Sequence, residues 1–261
     1  MAIRIRDRSV SLHSRLSGHL RGGWIAVGVS LIAFLVYLAT LAPGLTSANY
    51  GTDGGDLIAA ARTLGVPHPS GYPTYTMLAW LFTRLPIGVI AYRVNLLSAV
   101  CAAAAVGFFF CTARRVLPDD RHPLLLPAVT ALNLAFSSLL WSQAVIAEVY
   151  ALLMLCASLL LWLLVRWRDE GLDWWLWLAA LTLGLALGNH LTILFWVPAA
   201  LVYLWPDRRL WLRARTVLPG VVLFIVGLSV YAYLPLAARQ GPPVNWGNPQ
   251  TWRGFLWVVS G

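Results

Sequence analysis

Apolar residues in this chain arrive in long blocks separated by short polar connections. The blocks lie at 24–42, 72–87, 94–113, 124–142, 149–165, 174–189, 191–205 and 216–236, and charge falls mostly between them. A helix rises about 1.5 Å per residue, so about 20 residues cross the hydrocarbon of a bilayer. The pattern therefore predicts an all-α polytopic membrane protein. The connections 1–23, 114–122, 166–173 and 206–215 are basic, whereas 43–71, 141–148, 189–190 and 237–253 collect the polar clusters.

Composition strengthens this picture. Of 261 residues, 59% are hydrophobic and only 11% are charged, with a mean hydropathy of +0.72; soluble domains carry about 25% charged residues. A solvated globule is excluded. All 19 basic residues are arginine and the net charge is +9, but fourteen tryptophans and long uncharged runs point to lipid rather than to nucleic acid. Cys101, Cys111 and Cys156 lie inside apolar runs without a CxxC pair, which predicts buried thiols.

Arginine placement sets the expected topology. If all eight blocks crossed, nine arginines would fall on one side and ten on the other. If 72–87 lies in the interface instead, fourteen fall inside and five outside, as the positive-inside preference requires. Seven crossings are expected, with a basic inner segment 1–23, a membrane domain over 24–261 and a first outer loop over 43–93. The block 24–42 reads as a retained first helix, and 174–205 has a single bent helix as its alternative. All four polar clusters then reach the outer face. The proline near the start of 72–87 and Arg84 near its end fit a segment lying along the membrane surface.

The outer clusters carry the candidate chemistry. Asp53 and Asp56 flank two glycines; Asp56 is expected to cap a short helix over 57–64, leaving Asp53 without a structural duty. Glu148 lies between two apolar runs, where an acid needs a partner or a cavity; Arg62, Arg84, Arg93, His68, His190 and Arg239 are partners on its side, and a structural pair with Arg93 is the competing reading. Gln143 precedes it. His68 is fixed between two prolines, His190 closes an apolar run beside Asn189, and Asn245 and Trp246 lie in a Pro/Gly-punctuated loop after Arg239. Acids facing arginine and histidine beside lipid suit a substrate with an anionic, membrane-anchored part and a hydroxyl to activate.

The segments TDGGDLIAAARTLGVPHPSGYPTYTMLAWLF, AYRVNLLSA, WSQAVIAEVYAL, LGNHLT and PLAARQGPPVNWGNPQTW, in that order, closely resemble a membrane family once catalogued only as a domain of unknown function. That family includes an endoplasmic-reticulum protein O-mannosyltransferase and belongs to the GT-C glycosyltransferase superfamily. The resemblance implies a GT-C-like helical bundle with interfacial juxtamembrane helices and a catalytic acid in the first outer loop. It also implies a polyprenyl-phosphate sugar donor. The family's acidic pair falls on Asp53 and Asp56, its second-loop Gln and Glu on Gln143 and Glu148, and its HPxGxP histidine on His68. Where the family commonly has glutamate this chain has Asp56, and where it has serine or cysteine this chain has Gly54, so Asp53 is the safer catalytic choice.

On that resemblance Asp53 is the general base of an inverting transfer, with Asp56 and Glu148 completing the catalytic set. Arg93 or Arg239 stabilises the leaving phosphate, and His68, His190, Gln143, Asn245 and Trp246 contact phosphate or sugar. No metal is assigned, since the loop's two carboxylates lack a third ligand, and no cofactor beyond the lipid-linked sugar is expected. The acceptor is a protein, glycan or lipid hydroxyl. The arginine-only basicity suggests a bacterial coding bias and hence the inner membrane, N-terminus inside and active site outward. Two other classes stay open. A transporter or flippase of lipid-linked or amphiphilic substrates would show a polar path to both faces, and a non-catalytic scaffold would hold Asp53 and Glu148 apart or sealed in ion pairs. The ending in FLWVVSG suggests the opening of another helix in a longer protein.

Overall fold

A computed structural model describes residues 12–117 and 124–260, with side chains from residue 22 onward. Most of the basic segment 1–23 and the connection around 118–123 therefore lie outside the described residues or their side chains. The described chain is an all-α bundle. It comprises α1 (Leu12–Ala39), α2 (Gly54–Thr63), α3 (Pro73–Thr83), α4 (Ile90–Val116), α5 (Leu125–Ala135), α6 (Ser138–Ala144), α7 (Tyr150–Glu170), α8 (Trp174–Leu187), α9 (Trp196–Leu204), α10 (Arg208–Trp211), α11 (Ala214–Leu228), α12 (Tyr233–Ala238) and α13 (Trp252–Ser260).

Among the described residues four spans are long and apolar enough to cross a membrane: Gly22–Ala39, Ile90–Val116, Tyr150–Glu170 and Ala214–Ala238. The pair α5 and α6 adds a fifth if its 61° bend is one broken span. Ser137 makes that break, because its hydroxyl accepts the N–H of Leu140 and starts a new helix. The block 72–87 folds as the eleven-residue α3. The stretch 174–205 is divided into α8, a 3₁₀ turn over Leu191–Phe195 and α9.

Helix α4 is the hub, packing against α1, α3, α5 and α7, while α7 also meets α8 and α8 meets α11. Its small residues Ala99, Ala102, Ala103 and Ala105 let neighbours approach closely. The outer helices α1 and α11 expose Val27, Leu31, Leu35, Leu218, Val222 and Ile225, the surface expected of helices bathed in lipid. Cys101 and Cys156 are buried, Cys111 is half-buried, and all three are free.

Helices α8 and α11 cross on two glycines. A Cβ on Gly184 would stand 2.5 Å from the Phe224 carbonyl oxygen, and one on Gly227 would stand 2.5 Å from that of Leu181. Backbone cannot yield as a side chain can. We expect Gly184→Leu or Gly227→Leu to destabilise the protein by about 3 kcal/mol or more, whereas Gly28→Leu, whose Cβ meets nothing within 4 Å, leaves it unchanged. Thermal unfolding of the three variants in detergent checks this.

At one end of the bundle Arg115 pairs with Asp169, Arg166 with Glu170 at 2.6 Å, Arg168 with Asp207 at 3.0 Å and Arg215 with Asp173 at 3.5 Å. The opposite end holds Asp53, Asp56 and Glu148.

Candidate functional site at the acid-bearing end

Long-range hydrogen bonds draw the five sequence blocks together at this end. Asn95 of α4 donates its side-chain amide to the carbonyls of Ala42 and Gly44, fixing the start of the first loop. The Ala42 N–H reaches the Val145 carbonyl, and the Gln143 amide reaches that of Asn49. Asn189, fully buried, donates to the Val149 carbonyl, and the Thr74 N–H donates to that of Gly188. The C-terminal loop pairs with the first: Val66 N–H meets the Val244 carbonyl at 2.8 Å, and Trp246 N–H meets that of Val66 at 3.0 Å. Glycine is required at position 65, because a Cβ there would stand 2.4 Å from the Val244 oxygen.

At the centre lies a histidine between two carboxylates. Asp56 Oδ2 accepts the backbone N–H of His68 at 2.9 Å and its ring Nδ1 at 2.8 Å, while Oδ1 accepts the Trp246 indole N–H at 3.0 Å. The other ring nitrogen, Nε2, stands 3.6 Å from Asp53 Oδ2. The expected cap role of Asp56 is thus corrected. Helix α2 begins at Gly54, three residues earlier than expected, so Asp56 lies inside its first turn and its carboxylate reaches across to His68. Asp53 takes the N-cap position but makes no side-chain cap bond, and its side chain is 55% exposed.

Glu148 occupies the turn between α6 and α7, 4% exposed, where its carboxylate accepts the backbone N–H groups of Asp53 and Val149. Burial, and after it the charge of Asp53, pushes its carboxyl up to about 7 against those two hydrogen bonds. Burial alone would raise Asp56 too, yet the bonds from His68 and Trp246 hold it below the usual range. The bond to Asp56 raises His68 in spite of burial, helped by the charges of Asp53, Asp56 and Glu148.

These shifts set a stability profile. Glu148 binds its proton more tightly folded than unfolded, so its contribution falls as pH rises from 4.5 to about 7. His68 acts in the same direction, losing its contribution as pH rises above 6.5 through its raised value. Asp56 contributes above 3.8 and loses that contribution as pH falls through its lowered value. Thermal stability is therefore expected to peak in mildly acidic buffer and to decline toward neutrality, with Glu148→Gln flattening the decline. Melting curves across pH measure it.

Two further candidate residues have partners of their own. Arg93 does not pair with Glu148: Nε, Nη1 and Nη2 donate to the carbonyls of Ile87, Thr83 and Gly88 at 2.6, 2.9 and 2.9 Å, bracing the turn between α3 and α4. His190 caps its own 3₁₀ turn, its Nδ1 accepting the Thr192 N–H, and burial lowers its pKa. Arg239 is exposed at the end of α12.

Sequence reasoning missed Tyr72, which lies edge-on to His68 at 5.0 Å and stacks on His190 at 6.0 Å, with Tyr150 5.5 Å from the same ring. Its place in HPSGYP beside His68 was the available signal. Gln143 Oε1, Asn189 Oδ1 and Asn245 Oδ1 are buried without a hydrogen-bond partner. They are acceptors suited to a ligand's hydroxyls. Among the described residues no three His, Cys, Asp or Glu side chains group as a metal site.

Comparison with known proteins gives this arrangement a context. Residues 53–211 match the family described as the protein O-mannosyl-transferase TMEM260 N-terminal domain. The mouse protein O-mannosyl-transferase TMEM260 is 36% identical over 250 residues, covering 92% of this chain and 34% of that protein. The Dictyostelium discoideum protein of the same name is 26% identical over 244 residues, covering 85% of this chain and 28% of its own length. The chain thus spans about a third of the length of these relatives. No solved structure matches it. With the matched stretch running from Asp53 through Glu148 and beyond, the chain belongs to the TMEM260 N-terminal domain family.

Proposed function

We propose that this chain is the membrane part of a GT-C-type glycosyltransferase that moves a sugar from a polyprenyl-phosphate donor to an acceptor hydroxyl. The relatives' printed names make mannose the first sugar to test. The observation that carries the reading is Asp53: an exposed carboxylate, held by its own backbone against buried Glu148, at the point where five separate segments meet.

In this reaction Asp53 removes the proton of the acceptor hydroxyl as its oxygen attacks the anomeric carbon, and the bond to the donor phosphate breaks on the far side. Single displacement inverts the anomeric centre. Glu148 holds Asp53 in place through the backbone, and Asp56 acts through His68. Arg239 is the proposed phosphate partner, since three of Arg93's N–H donors already serve the turn it braces. Gln143 and Asn245 offer buried oxygens to sugar hydroxyls, and Trp246, with His190 beyond Tyr72, borders the site. The acid-bearing end faces outward and the arginine-rich end inward, which agrees with the arginine distribution. Seven crossings, α2 and α3 lying in the interface, and a bacterial inner membrane complete the proposed topology. Asp53 lies beside His68 yet keeps 55% of its side chain exposed, which favours an enzyme over a scaffold with its acids sealed in ion pairs. Incubation of the purified protein with polyprenyl-phosphate mannose and candidate acceptors tests the reading; an inverted product supports it, and donor left intact with every acceptor contradicts it.

A further inference from the structure

We propose that His68 is a proton relay for the base, receiving from Asp53 the proton that Asp53 takes from the acceptor, with Asp56 fixing the ring for that purpose. This rests on the reading of Asp53 as base, but the relay is a separate claim about a histidine that the sequence suggested as a phosphate or sugar contact. Two carboxylates flanking the ring make it a poor place for a phosphate.

The geometry points to the relay in three steps. First, Nδ1 faces an anionic oxygen at 2.8 Å, so that nitrogen carries the proton and Nε2 of the neutral ring presents its lone pair. Second, that lone pair faces Asp53 Oδ2 at 3.6 Å; two acceptors so placed repel one another until a proton lies between them. Third, the ring is held. Pro67 and Pro69 flank it, Tyr72 lies edge-on at 5.0 Å, Trp246 lies edge-on at 6.5 Å, and the Trp246 indole N–H secures the second oxygen of Asp56. The titratable groups facing His68 are Asp53 and Asp56 from the start of α2, Glu148 from the α6–α7 turn and Tyr72 from its own segment. The charges among them are all acidic and favour the imidazolium, which raises the affinity of the ring for the relayed proton.

The balance is closed. The acceptor O–H bond breaks as its oxygen bonds the anomeric carbon, and the carbon–oxygen bond to phosphate breaks with its electron pair leaving on phosphate. The proton binds Asp53, then moves to Nε2, and the half-buried imidazolium releases it to water. Asp53 is thereby returned to the carboxylate form, and the relay operates only while the His68 ring is neutral.

The test is the pH dependence of kcat/KM for the wild type, His68→Gln, Asp56→Asn and Asp53→Asn. The wild-type rate should rise with pH along a limb in the histidine range. In His68→Gln the rate should fall by about 100-fold, with donor KM within about twofold, and the limb should leave the histidine range. Asp56→Asn should move the limb to lower pH, because the imidazolium loses its partner, and it decides the matter if His68→Gln does not insert. A limb at the wild-type pH in either variant overturns the relay, whatever the rate. If Asp53→Asn is inactive while His68→Gln keeps the wild-type limb, the relay alone fails; if Asp53→Asn transfers sugar at the wild-type rate, the assignment of the base fails first.

Discussion

Replacing Asp53 by asparagine should lower sugar transfer by about a thousandfold, within the range attributed to a positioned general base, while leaving the protein's stability within about 0.5 kcal/mol of wild type. The two halves of this expectation have one origin. Asp53 stands at the N-cap position of α2, yet its side chain makes no cap hydrogen bond and is 55% exposed, so little of the fold depends on its charge. What holds residue 53 in place is its backbone, whose N–H bonds Glu148 and whose carbonyl accepts the Leu57 N–H. Asparagine preserves both. It has the same shape but no carboxylate to take the acceptor's proton, so the loss falls on the chemical step. Initial rates of transfer from radiolabelled donor, measured beside melting curves of the same preparations, separate the two effects. Near-normal turnover in a folded Asp53→Asn protein would remove Asp53 from the mechanism.

Glu148 should behave in the opposite way, with structure and rate failing together. Its carboxylate is buried and receives two backbone N–H groups. Truncation to alanine leaves both donors without partners at a cost of about 1–3 kcal/mol each. Glu148→Ala is therefore expected to lose about 2–6 kcal/mol of stability and to slow transfer by about a hundredfold, because the loop carrying Asp53 is no longer positioned. Glu148→Gln keeps an acceptor oxygen in nearly the same volume, and should stay within about tenfold of the wild-type rate. Hydrogen exchange at 49–55 should rise in the alanine variant and not in the glutamine one. If alanine left stability, exchange and rate unaltered, Glu148 would have no part in holding the site.

Much of the helical framework was legible because apolar runs near bilayer length have few other uses. The bundle, the burial of Cys101 and Cys156 and the placement of Asp53, Asp56 and Glu148 at the end opposite the arginine-rich connections follow from that pattern. The boundaries were less legible. Gly54 and Gly55 are weak helix formers, so α2 reads from the sequence as starting at Leu57, yet packing starts it at Gly54, where a Cβ would be only 3.3 Å from the Ala147 carbonyl oxygen. The break at Ser137 was hidden because the apolar run over 124–142 continues through it.

The partners within the site were the least legible. Asp56 meets His68 across 12 residues and Trp246 across 190, distances over which local pattern carries no information. Arg93 looked like a cation awaiting an anion, but the turn beside it presents three carbonyls that only the folded backbone brings together. Family resemblance brought Asp53, Asp56, His68, Gln143 and Glu148 forward as a set. It did not distinguish the exposed acid from the buried one or reveal that a histidine joins the first pair.

The most direct measurement is a structure of the protein with a non-hydrolysable polyprenyl-phosphate sugar bound. The expected density places the phosphate at the acid-bearing end and the anomeric carbon so that an acceptor oxygen about 3–3.5 Å from it also reaches Asp53. Donor bound at the arginine-rich end, or with its anomeric carbon out of reach of any hydroxyl that Asp53 can touch, would contradict catalysis at this site.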